Sequence, residues 1–395
     1  MKKILFFAIA LMSAAMFTAC NDTKTPDGDK TKLWYAMEDQ GDLYGFINAS
    51  GKFVIEPQYA HVSSFSCGWI LVQEKGEDGK IKFIDKNNKT GMEIDADNLA
   101  DYCFYYDRLT FKDGEKYGKY DNKFNVAVAP DYKYLDVTAD NGYSRFSTEE
   151  GKAGYVDKNG KIAIEAKFNG AGDFADGIAV ASELDGDDNI IVGVINAKGK
   201  YVIEPKKDRR YWNLGEGRLS YREGEDYKRG LLDKNGNVLL EPKYDYMYPF
   251  SCGLSVVEKD SKYGYINTKG QEVFSVENYD CTDFAENMAW IKKDENSKYQ
   301  LINKSGNVLL TLEEGDRPGN FHNGLALIGN ERWEDTKVVV EYRYINKSGK
   351  VIYSWKHEYG FDFAPKRETL HEMSIREMQG TEKGYLFNQD FEVVR

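Results

Sequence analysis

The stretch KYGYINTKGQEVF (residues 262–274) decides the fold, because the chain writes it again and again. Close copies stand at YGFINASGK (44–52) and AGYVDKNGK (153–161). Aligned on the glycine after the aromatic residue, clear copies fall at Gly45, Gly118, Gly154, Gly193, Gly230 and Gly264. Degenerate copies put Lys82, Gln300 and Arg343 in that slot, and a weak tenth uses Gly384. The steps between them run from 34 to 43 residues. A period of that size marks stacked supersecondary units.

Each copy has three parts. The first, as in YGYIN (263–267), alternates side chains between two faces and reads as a short strand. Its glycine leaves room for a neighbouring backbone or ring. The second is an Asx-x-x-Gly turn, seen in DKNG (157–160, 233–236) and NKSG (303–306, 346–349). Asp or Asn bonds its own backbone two residues on, and glycine supplies the positive φ of a hairpin loop. A second strand follows, as in KFVIEP (52–57) and KYVIEP (200–205), where proline is expected to stop it. The third part, FADGIAV (174–180) or FHNGLAL (321–327), starts a third strand. A 36-residue meander cannot bury enough surface alone, so neighbouring copies must supply the missing faces.

The pattern YGFI[ND]xxGKxVIxPxY…F..GLA.V resembles the WG-repeat family of bacterial proteins, named for a Trp-Gly pair. Here Tyr44, Tyr117 and Tyr263 take the Trp position, and Ala153, Val192 and Arg229 also occupy it. The resemblance covers roughly residues 34 to 355. It implies a binding or scaffold repeat with no defined activity.

The fold class expected is all-β, with three-stranded meanders stacked in a curved open array over residues 33–355. Ten units exceed the usual four to eight blades of a propeller, and three strands are few for a blade. A propeller-like ring is the alternative. Residues 356–395 read as a divergent last repeat or a cap. Within them RETLHEMSIREMQ (367–379), between Pro365 and Gly380, has a helical pattern.

The first 19 residues read as a signal peptide: Lys2 and Lys3, an apolar run from Ile4, then small residues. Phe17-Thr18-Ala19-Cys20 resembles the bacterial lipoprotein box, which implies lipidation of Cys20. Residues 20–32 then form a polar tether. These features place the protein in the cell envelope, on the outer membrane, with the periplasmic or surface face open.

Acidic side chains outnumber basic ones by 65 to 53, and no basic stripe interrupts them, which argues against a nucleic-acid partner. Of the five cysteines, Cys67 and Cys252 share the contexts SFSCG and PFSCG; Cys103 and Cys281 do not. Small buried thiols at a tight position are expected, with no pairing assigned. The four histidines lack metal-ligand spacing, and no nucleophile or phosphate-loop motif occurs. DGDDN (185–189) reads as a solvated hairpin tip rather than a calcium loop. Glu56, Glu165, Glu204 and Glu241 recur at one repeat position, which favours structure over catalysis. No catalytic residue, metal or cofactor is expected.

Aromatic residues are the functional hint. Trp69, Trp212, Trp290 and Trp333 lie outside the Tyr-Gly slot, and YDYMY (244–248) places Tyr246 and Tyr248 close together. Exposed rings stack on sugars or anchor protein partners, and buried ones separate repeats. The leading reading is a non-enzymatic, lipid-anchored scaffold for a protein or glycan. A glycan-active enzyme on a propeller and a passive spacer are the alternatives.

Overall fold

The structure, a computed structural model, describes residues 33–37, 43–63, 66–76, 80–101, 103–139, 141–224, 227–334 and 337–359, with short strands at Leu386–Phe387 and Val393–Val394. The signal peptide, Cys20, the tether, the 367–379 segment and Gly384 lie outside the described residues. No α-helix occurs among those described.

The open array is wrong. Eight small antiparallel sheets stand in a ring and form a β-propeller. The ring holds nine repeat units, because the first sheet has six strands and carries two of them. There the strand Phe53–Val62 ends one unit and begins the next. All nine alignment positions, from Gly45 to Arg343, fall on the strand that pairs with the outer one, which is the third strand wherever the unit has four.

The three-stranded unit also needs correction. Most units have four strands, as in Gly170–Ala171, Ile178–Leu184, Ile190–Asn196 and Tyr201–Lys206. The inner strand is often two residues long, too short to show a period of two. It is joined to the second strand by a two-residue turn with positive φ at both positions, such as Asp176-Gly177 (51° and 79°) and Cys252-Gly253 (55° and 81°). That is the hairpin turn whose twist matches its strands, and it accounts for the F..G motif. Cys252, a free thiol, holds such a turn position, and Cys67 holds its equivalent.

The glycine slot has a specific cause. A Cβ on Gly154 would lie 2.7 Å from both the Ile164 carbonyl oxygen and the Ala166 nitrogen. The outer strand slips register there, between the Ala153 and Tyr155 pairs. The same slip crosses Gly45, Gly118, Gly193, Gly230 and Gly264. Opposite Lys82, Gln300 and Arg343 the outer strand pairs without it. Glycine is therefore present where the partner backbone bulges inward. Proline does not stop the outer strand, as Pro57 and Pro205 stand inside theirs. A bulge needs no amide donor from that residue.

Closure is built from the same contacts that join internal units. Nine apolar clusters among the described residues each draw on two neighbouring units. One of them joins Trp34, Ala36, Met37 and Ile47 of the first unit to Leu325, Leu327, Tyr344 and Trp355 of the last. Tyr344 donates to the Tyr35 carbonyl at 3.1 Å, Tyr353 to that of Met37 at 2.8 Å, and the Trp34 indole to that of His322 at 3.2 Å. In internal units the Asx-turn glycine lies on the preceding outer strand, as Gly199 does on Ile164. Gly51 of the first unit lies in the same way on Ile352 of the last. Closing the ring covers the two terminal apolar faces that an open stack would leave in water.

Candidate functional site

Polar groups also meet between units, as where Arg108 donates to the Lys158 carbonyl at 2.9 Å, and two such places stand out. The first is Lys119, 1% exposed, on the third strand Lys116–Asp121. Equivalent positions hold Tyr155 and Tyr265, whose hydroxyls donate to the Gly172 and Thr282 carbonyls of the next unit at 2.6 and 2.7 Å. Lys119 reaches the corresponding Asp136 carbonyl at 2.6 Å and Thr110 Oγ1 at 2.9 Å. It thus does a tyrosine's structural task with an ammonium group. Burial pushes its pKa down to about 8, against the opposing pull of Asp101, Asp136 and Asp173. Between that value and the ordinary 10.5 the unfolded chain binds the extra proton. Stability therefore rises with pH across this window, and the cost of the buried charge is fully present below it. Lys119→Met removes the charge. Its melting temperature relative to the parent is expected to be highest near pH 7 and to converge on the parent toward pH 10. A difference independent of pH would mean that Lys119 does not titrate in this range.

The second place is at the other end of the strands from the tight turns, between the sixth and seventh units. Inner strands begin there, second strands end and third strands begin. Trp212 comes from Arg209–Gly215 and Arg222 from Arg218–Glu223. Arg229 opens Arg229–Asp233, and Tyr246 and Tyr248 come from Tyr246–Ser251 of the next unit. Tyr227 is on the loop between the second and third strands, 78% exposed.

These residues form a chain of ring and guanidinium contacts. The Arg222 guanidinium lies 5.1 Å from the Tyr227 ring centre and 5.9 Å from that of Trp212. The Arg229 guanidinium lies 4.2 Å from Trp212 and 4.0 Å from Tyr246. Tyr246 in turn meets Tyr248 at 4.7 Å. Each such contact contributes about 0.5–2 kcal/mol, more as water is excluded. Guanidinium groups held against rings keep their N–H donors in their own plane, directed past the ring edges.

The described arginines divide by partner: Arg210 donates to the Lys207 and Arg209 carbonyls at 3.0 Å, and Arg317 to the Tyr299 hydroxyl at 3.5 Å. Arg108, Arg145, Arg209, Arg332 and Arg343 each meet a carboxylate. Arg218 donates to the Thr268 carbonyl at 2.6 Å. Among the described residues no carboxylate pairs with Arg222 or Arg229. Burial lowers the Arg229 pKa from its ordinary value, against the opposing pull of its side-chain hydrogen bond with Tyr246, and the neighbouring Arg222 charge adds to the lowering. Two half-buried cations with no carboxylate partner among the described residues make a local site for an anion.

The proposed aromatics thus separate. Trp212, Tyr246 and Tyr248 come together. Trp290 is fully buried, stacked on Phe321 and donating to the Gly319 carbonyl at 3.1 Å. Trp69 packs on Phe124 and donates to the Asn122 carbonyl at 2.9 Å, so it joins two units. Trp333 stands on the strand Leu325–Glu334, and its side chain is outside the described residues. Arg222 and Tyr227 escaped the sequence reading, which had no signal for them. Arg229 did carry one: it replaces the aromatic residue before the slot glycine. No group of three His, Cys, Asp or Glu side chains among the described residues is placed to hold a metal ion.

Four stretches match the WG containing repeat. They are residues 44–77, 154–185, 230–263 and 263–299. Each match begins on a third strand and runs past the second strand of the following unit. The sequence repeat is therefore offset from the sheet, and every copy straddles two units. No curated protein matches the chain. Among solved structures, a crystal structure of a eukaryotic initiation factor is similar at a TM-score of 0.59 and 10% identity, over 84% of this chain and 97% of that one. At that identity the likeness is one of fold. An uncharacterized protein of Listeria monocytogenes is similar at 11% identity over 79% of this chain and 97% of that one, with a TM-score of 0.36.

Proposed function

We propose that this protein is a non-enzymatic scaffold, lipid-anchored at Cys20 in the cell envelope, whose ring binds a macromolecular partner. The observation that carries the reading is the Arg222–Arg229 pair, stacked among Trp212, Tyr227 and Tyr246 with no carboxylate partner among the described residues. Half-exposed aromatic rings and arginines are the side chains on which recognition energy concentrates. A rigid ring presents them without an ordering cost on binding. The WG containing repeat and the propeller fold support a scaffold role.

The glycan-hydrolase alternative needs a ring with carboxylates from several units at one mouth. The ring supports it, but carboxylates near the inner strands are already engaged. Asp136 is held by Arg145, and Asp101 accepts the Thr110 amide at 3.0 Å. The test is to immobilise the ring and challenge it with solubilised envelope extract and with polysaccharide fractions. The scaffold reading predicts one component retained near stoichiometrically and released by substitutions at residues 222 and 229. Release of reducing sugar from a retained glycan would favour the hydrolase instead.

A further inference from the structure

We propose that the partner at Arg222 and Arg229 is a glycan carrying uronic-acid carboxylates among neutral sugars. This rests on the scaffold reading and names its ligand class. The guanidinium groups have in-plane donors available, and a carboxylate accepts two of these side by side. The rings beside them favour a sugar as the carrier. Tyr227, at one end of the stack, is 78% exposed and Tyr246, within it, 39% exposed, so both offer apolar surface. A sugar ring presents flat C–H surface to such rings, while its carboxylate turns to the arginine edge.

Charge argues against a run of acidic residues in a peptide. The chain has a net charge of −12, and a dense polyanion is repelled by it beyond the immediate site. A glycan with occasional acid groups supplies one or two carboxylates where the cations stand and little charge elsewhere. Trp212 touches both guanidinium groups, so neighbouring acid groups on one chain can engage the two arginines together.

The experiment is calorimetric titration of the full-length protein with three probes of matched length: an oligogalacturonate methyl-esterified on most of its sugars, so that free carboxylates stand among neutral sugars (oligogalacturonate below), neutral oligogalactan and oligoglutamate. Oligogalacturonate is expected to bind at least tenfold more tightly than either of the others. Arg222→Gln with Arg229→Gln is expected to weaken it tenfold or more. Arg229→Lys, which keeps the charge but not the planar fork, is expected to lose several-fold. Circular dichroism and the melting temperature of each variant establish that the ring is intact. Raising salt from 50 to 300 mM is expected to weaken oligogalacturonate binding and leave any oligogalactan binding unchanged.

Absence of oligogalacturonate binding to the parent, or binding untouched by both glutamine substitutions, would overturn the inference. Tighter binding of oligoglutamate would overturn it in favour of an acidic peptide while leaving the scaffold reading standing. A protein retained from envelope extract through Arg222 and Arg229, with no response to oligogalacturonate, would do the same.

Discussion

Gly154→Val is expected to destabilise the ring by about 4 kcal/mol or more, at the far end of single-substitution effects. The cause is local and unavoidable. A Cβ at residue 154 meets the backbone of Ile164 and Ala166 at 2.7 Å, and backbone cannot rotate aside. The strand Ile162–Phe168 would have to give up its bulge. Its register toward the next unit would then change, with Phe168 and Ile164 drawn out of their shared cluster with Phe174. The control is Gln300→Gly, on a third strand whose partner pairs without the slip. There the expected cost is about 1 kcal/mol, from strand-interior glycine alone. Urea midpoints of the two variants check the contrast. Equal costs would mean that the bulge does not require glycine at residue 154.

Trp355→Ala is expected to cost about 3–5 kcal/mol, as much as Trp290→Ala. Trp290 is wholly buried between the eighth and ninth units. Trp355 is 4% exposed and packs beside Tyr342, Tyr344 and Tyr353 against the first unit. If the chain were an open stack, Trp355 would lie on a terminal face and its loss would cost well under the internal value. Comparing the two alanine variants by thermal unfolding therefore reads closure as an energy. Similar losses support the ring, and a small loss at Trp355 alone opposes it.

Much of this architecture is written in the repeat. The alternation of YGYIN, the Asx-x-x-Gly turns and the F..G hairpins are local signals, and each names its own turn type. Asp157 Oδ1 accepts the Asn159 and Lys161 amides at 2.8 and 3.0 Å, as its turn requires. What the repeat does not contain is curvature. The angle between neighbouring units is set by side-chain volumes in each shared cluster, and a few degrees per unit separate an arc from a circle. The two-residue inner strands leave no periodic trace, so the unit reads as three strands instead of four. Legibility is also uneven at the candidate site. Trp212, Tyr246 and Tyr248 draw attention by type, whereas Arg222 and Tyr227 become relevant only when the fold brings four strands and a loop together. Trp69 and Trp290 show the converse: aromatic residues outside the slot that join neighbouring units.

The most direct test of closure is a distance between the first and last units. Spin labels on non-canonical residues at positions 50 and 354, both exposed, leave the native cysteines untouched. Position 50 adjoins Gly51, whose turn rests on Ile352 of the last unit. Double electron–electron resonance is expected to give one narrow distribution at about 10–20 Å, the spacing of neighbouring packed sheets plus the label arms. A distribution centred on the order of 80 Å, the length of nine units stacked about 10 Å apart, would contradict the ring.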